Sequence, residues 1–219
     1  MVSHDIAFLH TLPSNVDAFT PLVAERRPDL SIRHAVADHL LNEARKTGMT
    51  PEIALEVQRL MTDLASTGAR VVVCTCSTIG GAAEATETGG RFVAMRIDRP
   101  MADRAVTLGP DLLVLAALPS TFGPTRALLK DSAQRAKVRL RLDERLVEGA
   151  WLHFEGGDRD NYYQIIADAL TTDLTGFNGV VLAQASMAPA ADRCRNATVP
   201  ILSSPRMGVD AALGLLTPN

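Results

Sequence analysis

Two runs of consecutive apolar residues, VVVCT at Val71–Thr75 and GVVLAQ at Gly179–Gln184, leave little room for any architecture but parallel sheets covered on both faces. A strand with one face in water would alternate apolar and polar residues, and these do not. Comparable runs stand at Asp5–Thr11 (DIAFLHT) and Asp111–Leu118 (DLLVLAAL), the first closed by the turn chemistry of LPSN. Helical patterns separate the runs. The best defined spans Thr50 to Gly68: Thr50 is placed to cap, Pro51 falls at the first helical position, and Glu52 and Glu56 lie near the positive end. Ile53, Leu55, Val57, Leu60, Met61 and Leu64 then recur at helical spacing.

Further helices are expected at Val16–Arg26, His39–Lys46, Gly80–Thr88, Pro124–Ala136, Asp160–Leu174 and Met207–Leu216. Strands are expected at Leu30–Val36, Arg91–Ile97, Val199–Leu202 and, as an alternating edge, Lys137–Leu142. Strands alternating with helices predict an α/β chain whose parallel sheets are joined by right-handed crossovers.

The pattern restarts halfway. Laying Ile6–Val23 over Leu112–Leu129 without gaps matches Leu9 with Leu115, Leu12 with Leu118, Pro13 with Pro119, Ser14 with Ser120 and Leu22 with Leu128. Laying Val71–Glu84 over Val180–Arg193 matches Val71 with Val180, Val72 with Val181, Ser77 with Ser186 and Ala82 with Ala191. The two offsets are nearly equal, and each is close to half the chain. Two pseudo-symmetric lobes follow, each a parallel sheet flanked by helices. Ligands of parallel α/β sheets bind beyond the carboxyl ends of the strands. The active site is therefore expected in an inter-lobe cleft, lined by His10–Asn15, Cys76–Thr78, Pro119–Thr121 and Ala185–Met187. These loops are rich in small hydroxyl residues, and two of them open helices whose free amides suit an anion such as a carboxylate.

Composition narrows the function classes. With 47% hydrophobic and 21% charged residues the chain is neither disordered nor low in complexity. A net charge of −3 and 4% aromatic residues argue against a nucleic-acid partner. No run of about 18 apolar residues is present, and the opening MVSHDIAFLHTLP lacks the layout of a signal peptide, so no membrane partner and a cytoplasmic location are expected. No nucleotide-binding glycine motif and no zinc-ligand spacing occurs, so neither a cofactor nor a metal is expected.

Of the three cysteines, Cys74 lies inside its strand and is read as packing. Cys76 lies past the strand, ahead of Ser77, Thr78 and a helix start, an open placement in which a thiol can serve as base or nucleophile. Cys194 is read as structural. His10 ends the first strand, where it either touches substrate or caps the surface, while His34 and His39 are read as structural. Asp158 is read as the cap of the helix that follows it.

The segments CTCSTIGGAAE and LAQASMAPA, with HTLPSN, LPSTFGPT and VPILSSPRMGVDAA, resemble the aspartate/glutamate/hydantoin racemase superfamily over nearly the whole chain. The resemblance implies two α/β lobes, residues 1–98 with 206–219 and residues 99–205, the C-terminal helix returning to the first. It also implies a cofactor-independent site and, by family expectation, a homodimer. The racemases carry one cysteine after a central strand in each lobe, one removing the α-proton and the other returning it. Cys76 corresponds to the first, with a register two residues earlier, on Cys74, as the alternative. The second position falls on Ala185, or on Gln184 in a shifted register, and neither is an acid or base. Single-cysteine relatives that decarboxylate malonates carry the cysteine in the second lobe, whereas relatives resembling maleate isomerase use the first-lobe cysteine.

The expectation is an isomerase or racemase of a small carboxylate, with Cys76 catalytic and His10, Thr11, Ser14, Ser77, Thr78, Ser120, Thr121, Ala185 and Ser186 binding substrate. A decarboxylase or lyase of the same superfamily, or a non-catalytic carboxylate-binding protein, is the alternative. A redox pair of Cys74 and Cys76 is disfavoured because the one-residue spacing would strain a disulfide.

Overall fold

A computed structural model describes residues 4–194 and 197–216. The chain divides into two compact units, Met1–Arg99 with Pro205–Asn219, and Pro100–Ser204.

The first unit runs β1 (Ile6–His10), α1 (Ser14–Arg26), β2 (Ile32–Val36), α2 (Asp38–Thr47), α3 (Pro51–Ala65), β3 (Val71–Cys74), α4 (Gly80–Glu84) and β4 (Val93–Arg96). Its strands lie in the order β2-β1-β3-β4, every neighbouring pair parallel. The helix read most firmly from sequence forms as its signals dictate: the Thr50 hydroxyl accepts from the Ile53 amide at 3.3 Å, and Pro51 occupies the first turn. Ile53, Val57, Met61 and Leu64 fall on one face of α3 and pack with Ala7, Leu9, Val72 and Cys74 of the sheet. Each such side chain contributes roughly 1.5–3 kcal/mol by leaving water. Leu55 lies off that face and stays 66% exposed. The opposite face of the sheet carries Phe8 and His10 against Phe19 of α1.

Helix α5 (Arg99–Ala105) begins at the boundary between the units. The second unit continues with β5 (Asp111–Ala116), a 3₁₀ turn at Pro119–Thr121, α6 (Phe122–Ala136), β6 (Arg141–Leu146), α7 (Ala150–Glu155), α8 (Arg159–Leu170), β7 (Gly179–Leu182), a 3₁₀ turn at Ala185–Met187, α9 (Ala188–Ala191) and β8 (Ile201–Leu202). Its strand order, β6-β5-β7-β8, again all parallel, reproduces that of the first unit position by position. The internal repeat is thus a repeat of topology. The closing helix α10 (Ser204–Gly214) belongs to the first unit. Arg206 and Asp210 of α10 pair with Glu25 and Arg26 of α1, each at 3.0 Å. Gly208 backs so closely onto Ile97 that no side chain would fit.

Several boundaries differ from the sequence reading. The edge strand expected at Lys137–Leu142 lies at Arg141–Leu146, because Lys137 takes the left-handed conformation (φ 57°) that ends α6. The alternation of RLDERL then pairs with β5, and Arg126 holds Glu144 at 2.6 Å. The helix expected to reach Leu174 stops at Leu170, and the one expected to reach Thr88 stops at Glu84. Helices α5 and α7 were not expected at all. Asp158 does cap α8, accepting from the Asn161 amide at 3.2 Å. No helix among the described residues is long and apolar enough to cross a membrane.

Candidate functional site

In the first unit the loops after β1 and β3 are neighbours because those strands pair, Leu9 opposite Cys74. Cys74 points into the core beside Ala7, Leu9 and Val72, and its thiol donates to the Cys76 carbonyl at 3.7 Å. Burial first, and the neighbouring Cys76 second, push the Cys74 thiol up, so it stays protonated. Cys76 lies past the strand end with Ser77 and Thr78 beside it in sequence. It is less open than that placement implies: only 9% exposed, and packed in the same apolar cluster as Ile79 and Ala83. Ser77 and Thr78 are buried too, as is Thr11 in the other loop, while Ser14 opens α1 half-buried.

His10 is fully buried, and both ring nitrogens are engaged by protein groups, so it does not stand at the surface where a substrate was expected to touch it. A chain of hydrogen bonds runs through it, and counting protons fixes its direction. The Thr20 hydroxyl donates to the Val16 carbonyl at 2.7 Å and therefore accepts from His34 Nε2 at 3.2 Å. His34 Nδ1 then accepts from His10 Nε2 at 2.9 Å, and His10 Nδ1 takes the Thr75 hydroxyl proton at 2.8 Å in preference to the Leu9 carbonyl, which lies further off at 3.4 Å. Thr75 in turn accepts from the Asn15 amide at 3.2 Å. Both imidazoles are neutral in this arrangement. Burial, and then the facing His34, lower the His10 pKa to about 3, and burial lowers that of His34. The His10 and His34 rings stack at 5.1 Å between centroids. The network ties the loop after β1 to Thr75, the residue before Cys76.

The second unit uses the same topological positions. Ser120 and Thr121 form the 3₁₀ turn that leads into α6, and Thr125 lies one helical turn further on. The hydroxyls of Ser120 and Thr125 are buried without a hydrogen-bond partner. Ala185 and Ser186 open the turn after β7. Ser186 Oγ lies 2.8 Å from the Tyr162 hydroxyl of α8, and burial pushes that phenol up, keeping it protonated. Gln184 Oε1 accepts from the Ala117 and Leu118 amides at 2.7 and 3.2 Å, joining the two loops as His10, Asn15 and Thr75 join those of the first unit. Cys194 donates to the Ala167 carbonyl at 3.5 Å, a structural contact.

Sequence reasoning placed Asn15 at the end of a cleft loop without a role for it, and missed Thr75, Thr125, Tyr162 and the buried pair Arg96–Asp98. Only the last left a signal, two opposite charges two residues apart at the end of an expected strand. Among the described residues no group of three His, Cys, Asp or Glu could hold a metal ion.

No family model matches the chain, and no curated protein matches it. Solved structures share its fold. An aspartate racemase from Picrophilus torridus superposes with a TM-score of 0.70 at 12% identity, covering 97% of this chain and 94% of that one. A glutamate racemase from Bacillus anthracis gives 0.66 at 14% identity, covering 99% of this chain and 82% of that one. An allantoin racemase from Pseudomonas fluorescens gives 0.58 at 16% identity, covering 97% and 90%. The chain thus has the fold on which these racemases are built.

Proposed function

We propose that the chain is a cofactor-independent enzyme of the racemase or isomerase type, acting on a small carboxylate through the thiolate of Cys76. The observation that carries the reading is the pair of buried hydroxyls without protein partners, Ser120 Oγ and Thr125 Oγ1, where the 15-residue helix α6 begins. A buried polar group left unpaired costs about 1–3 kcal/mol, so such hydroxyls suit the oxygens of a ligand. The first turn of α6 holds no acidic residue that would oppose an anion there. The shared fold of an aspartate, a glutamate and an allantoin racemase supports the reaction class.

In this reading Cys76 takes the α-proton, and the electron pair moves onto the carboxylate as an enolate-like intermediate. Ser120, Thr121 and Thr125 hold the developing charge. Ser77, Thr78, Thr11 and Ser14 of the first unit, and Ala185 and Ser186 of the second, supply the remaining substrate contacts. His10 contributes through Thr75. Alanine at position 185 cannot return a proton, so a change of configuration needs water to deliver it to the opposite face, while return by the Cys76 thiol to the face it came from exchanges the proton without inverting the carbon.

The test is a panel of amino acids, hydantoins, malonates and maleate incubated in deuterated buffer and followed by NMR. Deuterium wash-in or isomerisation on any member supports the reading, and CO₂ loss would move it to lyase chemistry. Calorimetric binding without exchange would make the chain a binding protein, and silence in both assays would refute the reading.

A further inference from the structure

Arg96 closes β4 and is 4% exposed; Asp98, two residues on, is 1% exposed. Arg96 Nε donates to Asp98 Oδ1 at 2.6 Å and Nη2 to Oδ2 at 3.0 Å. Burying such a pair costs several kcal/mol of lost hydration per ion, and an apolar pair of similar volume often stabilises as well. What an apolar pair cannot do is donate a third hydrogen bond. Nη2 also donates to the Ser77 carbonyl at 3.3 Å, one residue past Cys76.

The same guanidinium meets the far end of that loop. A Cβ on Gly80, the first residue of α4, would stand 3.0 Å from Arg96 Nε and 3.2 Å from Arg96 Cβ. One on Gly81 would stand 3.7 Å from Nη1. The arginine therefore lies against the face that two successive glycines leave open. Glu84, at the end of α4, is held in turn by Arg99 Nε at 2.8 Å. Lysine could not replace Arg96, because a single ammonium cannot fork onto Asp98, reach Ser77 and present a flat face to the glycines together.

We propose that Arg96 is the positioning residue of the Cys76 loop: clamped by Asp98, its guanidinium seats the Ser77 carbonyl and the Gly80–Gly81 backbone, and so fixes where the Cys76 thiol points. The importance of this seat rests on the reading of Cys76 as the reactive thiol, but its test does not.

The measurement is the rate of alkylation of Cys76 by iodoacetamide, followed by peptide mass spectrometry on the full chain. Wild type, Arg96→Lys, Gly80→Ala and the double variant are compared. Gly80→Ala leaves every charge in place and crowds the guanidinium, the new Cβ standing 3.0 Å from Nε and 3.2 Å from Cζ. Because the thiol is 9% exposed in the seated loop, each single variant is expected to speed its alkylation about fivefold or more. The double variant should be no faster than Arg96→Lys within about twofold, since both changes break one contact. Cys194, 8% exposed in the other unit, should keep its rate and so reports any general loosening. A Gly80→Ala rate within about twofold of wild type would overturn the proposal, as would an equal rise at Cys194 or multiplied effects in the double variant. Turnover that survives Cys76→Ala would refute the catalytic reading and leave these rates to stand or fall by themselves.

Discussion

Acid should loosen this fold through His10. Its pKa of about 3 in the folded chain lies below the 6.5 of a free imidazole, because burial and the facing His34 both oppose its charge. As pH falls below 6.5 the unfolded chain takes up the proton first, and the folded chain does not follow until about pH 3. The stabilisation is therefore complete above about pH 6.5 and drains away below it at roughly 1.4 kcal/mol per pH unit. Between pH 6.5 and 4.5 that amounts to roughly 2–3 kcal/mol, a large fraction of what holds an ordinary domain together. His34, lowered by burial, acts in the same direction. The assay is urea unfolding followed by circular dichroism from pH 7.5 to 4.5, on wild type and His10→Gln. The variant should be the less stable at neutral pH, with the gap closing as pH falls. Parallel curves for the two proteins would show that His10 does not titrate between the folded and unfolded states, and the neutral-imidazole network would be wrong.

Two side chains in the second unit give further predictions. Thr125→Val removes a buried hydroxyl that has no protein partner, so stability should hold or rise by up to about 1 kcal/mol while affinity for the carboxylate falls about tenfold. Melting temperature and calorimetry on the same sample check both, and unchanged affinity would remove Thr125 from the site. Tyr162→Phe keeps the ring in the core but leaves Ser186 without its 2.8 Å partner, and should cost about 1 kcal/mol by urea unfolding.

What was legible in the sequence was whatever is local. The apolar runs at Val71–Thr75 and Asp111–Leu118 identify buried parallel strands, and Thr50 with Pro51 marks the start of α3. Helix α7 escaped because six residues are too few to show a period, and Gly149 before it reads as a stop. The loops of the candidate site were visible as turn chemistry after strands. Their cross-links were not, because they depend on register. His34 meets His10 only because Phe8 pairs with His34 and His10 with Val36, and Thr75 meets His10 only through the pairing of β1 with β3. The burial of Cys76 was misjudged for the same reason. A residue past a strand looks open in one dimension, whereas Ile79 and Ala83 of the following segment fold back into its cluster.

The central claim is that Cys76, and not Cys74, performs the chemistry. Solvent-deuterium exchange at Cα, on whichever panel acid turns over, decides it when Cys76→Ala and Cys74→Ala are measured side by side. The account predicts a loss of about a thousandfold or more in Cys76→Ala and a rate within a few-fold of wild type in Cys74→Ala, whose thiol is buried and protonated. Undiminished exchange in Cys76→Ala, or loss confined to Cys74→Ala, would contradict it.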